Sequence, residues 1–258
     1  MFDFFSYLSP IMQSLISTIF TWFMTMLGAS VVFFFKDLKN KLLNLLLGFS
    51  AGIMLAATFW SLLNPALILS NKLKLFSSFV ICIGILCGSL LIFLGNCMCL
   101  KISKKNINRS FLVIFSITLH NIPEGLVIGV AFGSLCNSNI NSGLISAMIL
   151  ALGIGLQNFP EGSAISIPLR KDGYSNKKAF FIGQLSGIVE PISAVIGAAL
   201  STTFNLLLPF LLSFAAGAML YVIFLEIIPE SQASMNKNLV TLFSILGFIF
   251  MTLLDILF

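Results

Sequence analysis

The sequence predicts an all-α integral membrane protein, an eight-transmembrane-helix bundle with both termini extracellular, forming a single transmembrane domain over residues 1–258. Three observations predict it. The 258 residues are 58% hydrophobic and 9% charged, with a mean hydropathy of +1.07, more apolar surface than a water-soluble domain can hide. The apolar runs are about 20 residues or longer and lack the alternation of a barrel strand. The basic residues crowd into alternate breaks between those runs, which is how a membrane protein is oriented.

The helices follow from the breaks. Helix one is read at 8–35 and ends at Lys36, Lys39 and Lys41. Helix two, 42–64, is separated from helix three, 75–100, by Lys72 and Lys74. Lys101, Lys104, Lys105 and Arg109 precede helix four, 110–135. The short connection "CNSNINS" makes helix five, 143–169, its antiparallel neighbour. Arg170, Lys171, Lys177 and Lys178 stand before helix six, 179–201. A brief break leads to helix seven, 206–230, and Lys237 precedes helix eight, 238–258. Twelve of the fourteen basic residues thus share one side and only Lys72 and Lys74 face the other. The twelve-charge side is cytoplasmic, so the net charge of +5 is a topology signal and no nucleic-acid partner is expected. The partner is the lipid bilayer, and the cell membrane is the expected location.

The acids behave differently. Glu124, Glu161 and Glu190 fall near the centres of helices four, five and six, Glu226 and Glu230 toward the cytoplasmic end of helix seven, and Asp255 near the outer end of helix eight, at the interface. A carboxylate at mid-bilayer costs about 2.5–3.5 kcal/mol on insertion scales. No lysine or arginine shares that depth, so the compensating charge must come from protons or a bound cation.

Helix four reads "HNIPEG" from His120 and helix five "QNFPEG" from Gln157. Residues i, i+1 and i+4 lie close together on a helix, so His120, Asn121 and Glu124 converge, as do Gln157, Asn158 and Glu161. Pro123 and Pro160 cannot bond the carbonyls of Leu119 and Leu156, and Gly125 and Gly162 allow close helix approach. Helix six adds "GQLSGIVEP", with Glu190 before a proline and a Gly183-x-x-x-Gly187 packing stretch. Helix two adds Met54, on a face with Gly48, Ser50, Ala51 and Gly52. One imidazole, three carboxylates, three amides and a thioether suit Zn²⁺, Fe²⁺, Mn²⁺ or Co²⁺ better than Mg²⁺ or Ca²⁺.

These motifs resemble those of the ZIP (Zrt/Irt-like) family of divalent metal transporters, within it the bacterial GufA-type branch, and the resemblance runs the length of the chain. It implies a helix bundle with inverted-repeat symmetry, often a homodimer, in which an elevator-like movement carries metal inward through a binuclear site. One metal would take Met54, His120, Glu124, Gln157 and Glu161. The second would take Asn121, Asn158, Glu161 and Glu190, with Glu124 bridging. Zn²⁺ is the leading cargo, with Fe²⁺, Mn²⁺, Co²⁺ and Cd²⁺ as alternatives, and no prosthetic group is implied. Glu226 and Glu230 are either a solvated helix end or a metal exit path. Cys97-Met-Cys99 reads as ordinary packing.

Other classes fit less well. No Gly-x-x-x-x-Gly-Lys-[Ser/Thr] loop is present to couple ATP. A zinc protease needs His-Glu-x-x-His, and the chain has one histidine. A serine hydrolase using Ser186 with His120 would leave the paired glutamates unexplained, so no enzymatic activity is expected. A divalent cation channel shares the carboxylate-lined path and stays as the alternative.

Overall fold

The computed structural model describes residues 5–34, 40–103, 109–134, 140–233 and 237–257. Among them there is helix and no strand. Helix α1 is Pro10–Phe34. Helix α2 runs Asn40–Ala57, widens into a π turn over Thr58–Leu63, and resumes as Asn64–Lys72. Then come α3, Ser77–Ser103, α4, Arg109–Ser134, and α5, Ile140–Lys171. Helix α6 is Asn176–Leu185, a 3₁₀ turn at Ser186–Ile188, and Val189–Thr203. Helix α7 is Leu208–Val222, a second π turn at Ile223–Ile227, and Ile228–Ser231, and α8 is Lys237–Leu257. Seven of these rods are long and apolar enough to cross a membrane. The remaining one, α4, has 26 residues, about 39 Å at 1.5 Å per residue.

One boundary differs from expectation. Helix two does not stop at residue 64 but continues to Lys72. A proline ring collides with the carbonyl four residues earlier, and for Pro65 that residue is Ser61, inside the π turn. The helix absorbs the clash by widening instead of ending. The same holds for Pro229 and Leu225 in the π turn of α7, whereas before Pro191 the turn at Gly187 tightens to 3₁₀. The two π turns also follow matching sequence, "FSAGIML" at 49–55 and "FAAGAML" at 214–220.

The bundle has an apolar core around Ile53, Leu62, Ile128, Phe132, Leu150 and Met219, and its buried polar residues gather on particular helix faces while the lipid side is apolar. On α1, Gln13, Ser14, Thr18, Thr21 and Thr25 are buried while Ile16, Phe20, Phe23 and Leu27 are exposed. Close approaches sort the helices into two groups. In the first, α1 packs on α5 and α6, and α4 on α6; in the second, α2 packs on α8 and α3 on α7. Glycines make these contacts backbone to backbone. A Cβ at Gly28 would sit 2.0 Å from the Phe159 carbonyl oxygen, and one at Gly129 2.0 Å from that of Ala194. In the second group Gly52 meets the Ser244 carbonyl at 1.9 Å, and Gly88 that of Phe214 at 1.9 Å. Between the groups, where α2 meets α5, α4 meets α7 and α5 meets α8, the close glycine contact is different in kind: Gly153 faces the flexible Met251 thioether.

Candidate metal site

Both Asn-x-Pro-Glu-Gly helices run on through Pro123 and Pro160 without interruption. What brings their polar residues together is close packing. A Cβ at Gly125 would lie 2.2 Å from Ser193 Oγ and 2.3 Å from the Glu190 carbonyl oxygen, so α4 lies hard against α6. One turn earlier, Asn121 Nδ2 donates to Glu190 Oε1 at 2.9 Å. Gly162 stands likewise against the Thr25 carbonyl of α1 at 2.2 Å, and on the same stretch of α5 Asn158 Nδ2 donates to both Glu190 oxygens at 2.9 Å and to the Thr21 carbonyl at 3.3 Å. Across the α4–α5 contact, Gln157 Nε2 donates to Glu124 Oε1 at 2.9 Å.

The result is a dry polar centre. Glu124, Gln157, Asn158 and Glu190 are wholly buried and Asn121 nearly so. Its hydrogen bonds divide in two: Gln157 serves Glu124, while Asn121 and Asn158 serve Glu190. Bonds from amides to a carboxylate are charge-assisted and stronger than neutral ones, which keeps these acids tolerable in the interior. Yet Glu124 Oε2, Gln157 Oε1, Asn121 Oδ1 and Asn158 Oδ1 are buried without a hydrogen-bond partner among the described residues. A buried unsatisfied oxygen costs about 1–3 kcal/mol, so four in one place form a set of acceptors that a cation can satisfy.

Glu161 is half-buried on α5, one turn after Gln157. Among the described residues no three His, Cys, Asp or Glu side chains gather tightly enough to hold one ion, because amides stand between the carboxylates. His120 belongs to α4, but its side chain lies outside the described residues. Met54 is buried in α2. One turn before it, Ser50 Oγ donates to the Gln157 carbonyl at 3.0 Å, so this face of α2 addresses α5. Gly48 and Gly52 face α8 instead, which corrects the expectation of one small-residue face turned to the cavity. Glu226 lies within the π turn of α7, half-buried, and Glu230 is exposed near its end. Cys82, Cys87 and Cys97 are free thiols; Cys99 and Cys136 lie outside the described side chains. Asp255 is not simply interfacial: it accepts from Ser61 Oγ at 3.0 and 3.3 Å in a cavity of about 460 Å³ lined also by Trp60, Asn64 and Lys72.

Sequence reasoning missed two contributors. Thr21 of α1 donates its hydroxyl to Glu190 Oε2, and Ser50 ties α2 to α5. Thr21 had a signal: Ser14, Thr18, Thr21 and Thr25 recur at helical spacing and mark a polar stripe on an otherwise apolar helix.

Residues 101–255 match the family model described as "ZIP Zinc transporter". The chain belongs to the ZIP zinc transporter family. Among its relatives, zinc transporter ZIP11 of Homo sapiens is 35% identical across 96% of this chain and 98% of its own length. Zinc transporter ZIPB of Bordetella bronchiseptica is 31% identical across 90% of this chain and 76% of its own. Zinc transporter GufA of Myxococcus xanthus is 38% identical across 57% of this chain and 56% of its own. This ZIP chain is therefore a multi-pass membrane protein of a transporter family, not an enzyme, and the GufA likeness agrees with its motifs.

Proposed function

We propose that this chain imports a divalent transition metal, zinc foremost, into the cytoplasm across the cell membrane by alternating access, and that the centre between α4, α5 and α6 is a two-part site for it. Glu124 and Gln157, with Met54, His120 and Glu161, form one part; Asn121, Asn158 and Glu190, with Glu161, form the other, and Glu124 bridges them. The observation that carries this reading is the division of the hydrogen bonds. Glu124 is matched by the Gln157 amide and Glu190 by those of Asn121 and Asn158, and each of these amides has an oxygen with no hydrogen-bond partner among the described residues.

An amide rotated half a turn exchanges its two donors for an acceptor oxygen. With no ion, Gln157, Asn121 and Asn158 turn their NH₂ groups to the acids. With an ion, the same groups turn their oxygens toward it, and the acids neutralise its charge directly. The carboxylates are compensated in both conditions, which a carrier needs because its unloaded form must also return through a low-dielectric interior.

The packing supports a moving carrier over a channel. Glycine-mediated backbone contacts join α1 to α5 and α4 to α6 in one group and α2 to α8 and α3 to α7 in the other, and softer contacts between the groups permit sliding. Exchanging α1 with α6, α2 with α7, α3 with α8 and α4 with α5 carries the α1–α5 pair onto α6–α4, α2–α8 onto α7–α3, and α2–α5 onto α7–α4. With the repeated "FSAGIML" and "FAAGAML", this supports an inverted repeat, and the distribution of lysine and arginine supports termini on the outside. The test is zinc uptake into proteoliposomes. Glu124→Ala and Glu161→Ala should each abolish it while the protein still elutes as a folded species, and uptake persisting in both would discard the site.

A further inference from the structure

We propose that Thr21 of α1 is a further cation-binding residue, a two-position hydroxyl that serves Glu190 when its half of the site holds no ion and the ion when it does. The inference rests on the two-part site above and adds to it a fourth helix. Thr21 is wholly buried, and its Oγ1 has two acceptors in reach: Glu190 Oε2, and the Thr18 carbonyl oxygen one turn back at 3.0 Å. A hydroxyl has one hydrogen and two lone pairs, so it satisfies one acceptor at a time. Pointed at Glu190, the hydrogen joins Asn121 and Asn158 in surrounding the carboxylate with donors. Once a cation takes that carboxylate, the hydrogen turns to the Thr18 carbonyl and a lone pair faces the ion.

The surroundings suit this change. Asn158 Nδ2 touches the Thr21 carbonyl at 3.3 Å as well as Glu190, so the main-chain oxygen of Thr21 borders the same space. The unpartnered oxygens of Asn121 and Asn158 are buried beside it. Glu190, two amide oxygens and the Thr21 hydroxyl make an oxygen-only half-site, in contrast to the half that includes Met54 and His120. Ligand type sets preference, so the Thr21 half is the one that accepts oxygen-preferring divalent ions such as Mn²⁺.

The test is calorimetric titration of the full-length protein in detergent with Zn²⁺ and with Mn²⁺, comparing wild type, Thr21→Val, Thr21→Ser and Glu190→Gln, with thermal unfolding of each apo-protein as a folding control. Valine keeps the shape and loses the hydroxyl; serine keeps the hydroxyl. The expected result is that T21V weakens one of the two binding events about tenfold, loss of the hydroxyl as a ligand outweighing loss of its hydrogen bond to Glu190 in the empty site, more for Mn²⁺ than Zn²⁺, while T21S retains wild-type affinity for both. E190Q should weaken the same event. If E190Q binds two ions as wild type does, the two-part site fails and this inference with it. If E190Q loses the event and T21V does not, or T21S loses it as T21V does, the role of the Thr21 hydroxyl is overturned and the site stands. Should T21V prove unfolded, T21S against wild type, with Mn²⁺ affinity changed more than twofold, overturns the proposal alone.

Discussion

Replacing Gln157 with leucine tests the idea that its amide serves the unloaded carrier as well as the loaded one. Leucine is of similar size, so the packing of α5 against α4 is largely kept, but the Nε2 donor 2.9 Å from Glu124 Oε1 is gone. Glu124 is wholly buried and its other oxygen has no hydrogen-bond partner among the described residues. A hydrogen bond to a charged group contributes about 1.5–3 kcal/mol. In the variant, water from the open side must serve the carboxylate, and that water must be stripped as the carrier body slides. The lost bond then reappears as a barrier to the empty return step, equivalent to about one to two decades in rate. Two proteoliposome assays separate this from simple loss of a ligand. Net zinc uptake into metal-free vesicles requires the empty return; exchange against zinc trapped inside does not. Both should fall in Q157L because the oxygen ligand is lost, with net uptake falling further than exchange by about 10- to 100-fold. Equal falls in the two assays refute the reasoning and leave Gln157 as a ligand only.

Other predictions come from the packing. Gly129→Ala places a Cβ 2.0 Å from the Ala194 carbonyl oxygen, forcing α4 and α6 apart at a cost of about 1–3 kcal/mol, whereas Gly153→Ala meets only the tip of Met251. Thermal unfolding in detergent should show G129A clearly destabilised and G153A near wild type, and equal losses would contradict the division into two bodies. Ser50→Ala removes a 3.0 Å bond between those bodies, a change of about 0.5–1.5 kcal/mol. Backbone amide exchange around Gln157 should rise by about 2- to 10-fold, and unchanged exchange would remove Ser50 from any part in holding this conformation.

Much of the molecule was legible because two strong rules act on it. Lipid demands long apolar helices, and buried acids demand partners, so the eight rods follow from the apolar runs and the short link after helix four allows its polar triplet to meet that of helix five. The pairing of Glu124 with Gln157 was implied only by the family resemblance. Helix two reads as ending at 64, where its apolar run meets a break; that the chain widens around Ser61 and continues to Lys72 goes with contacts to α8 that are distant in sequence, Trp60 Nε1 to Thr252 Oγ1 at 3.2 Å and Ser61 to Asp255. Thr21 was overlooked because serines and threonines in apolar helices usually bond their own backbone, as Thr18 does to the Ser14 carbonyl at 2.7 Å, and nothing local separates one such hydroxyl from another. Which glycine meets which helix was equally hidden. Gly48 and Gly52 look like neighbours of Met54 in the chain, but their direction is set by α8.

The π turn of α2 has an effect on aim. In an unbroken α-helix, residue 61 would return to the face of residue 54 after two turns of 3.6 residues. A wide turn takes in an additional residue and rotates every later residue to a new face. Ser50 therefore points across to α5, whereas Trp60 and Ser61 point to α8. Before the turn the rod touches α5 through Ser50 and α8 through Gly48 and Gly52; at the turn Trp60 and Ser61 bring it round to α8 again. Straightening that rod by deleting a single residue near Thr58 would turn Trp60 and Ser61 away from Thr252 and Asp255 and end both attachments.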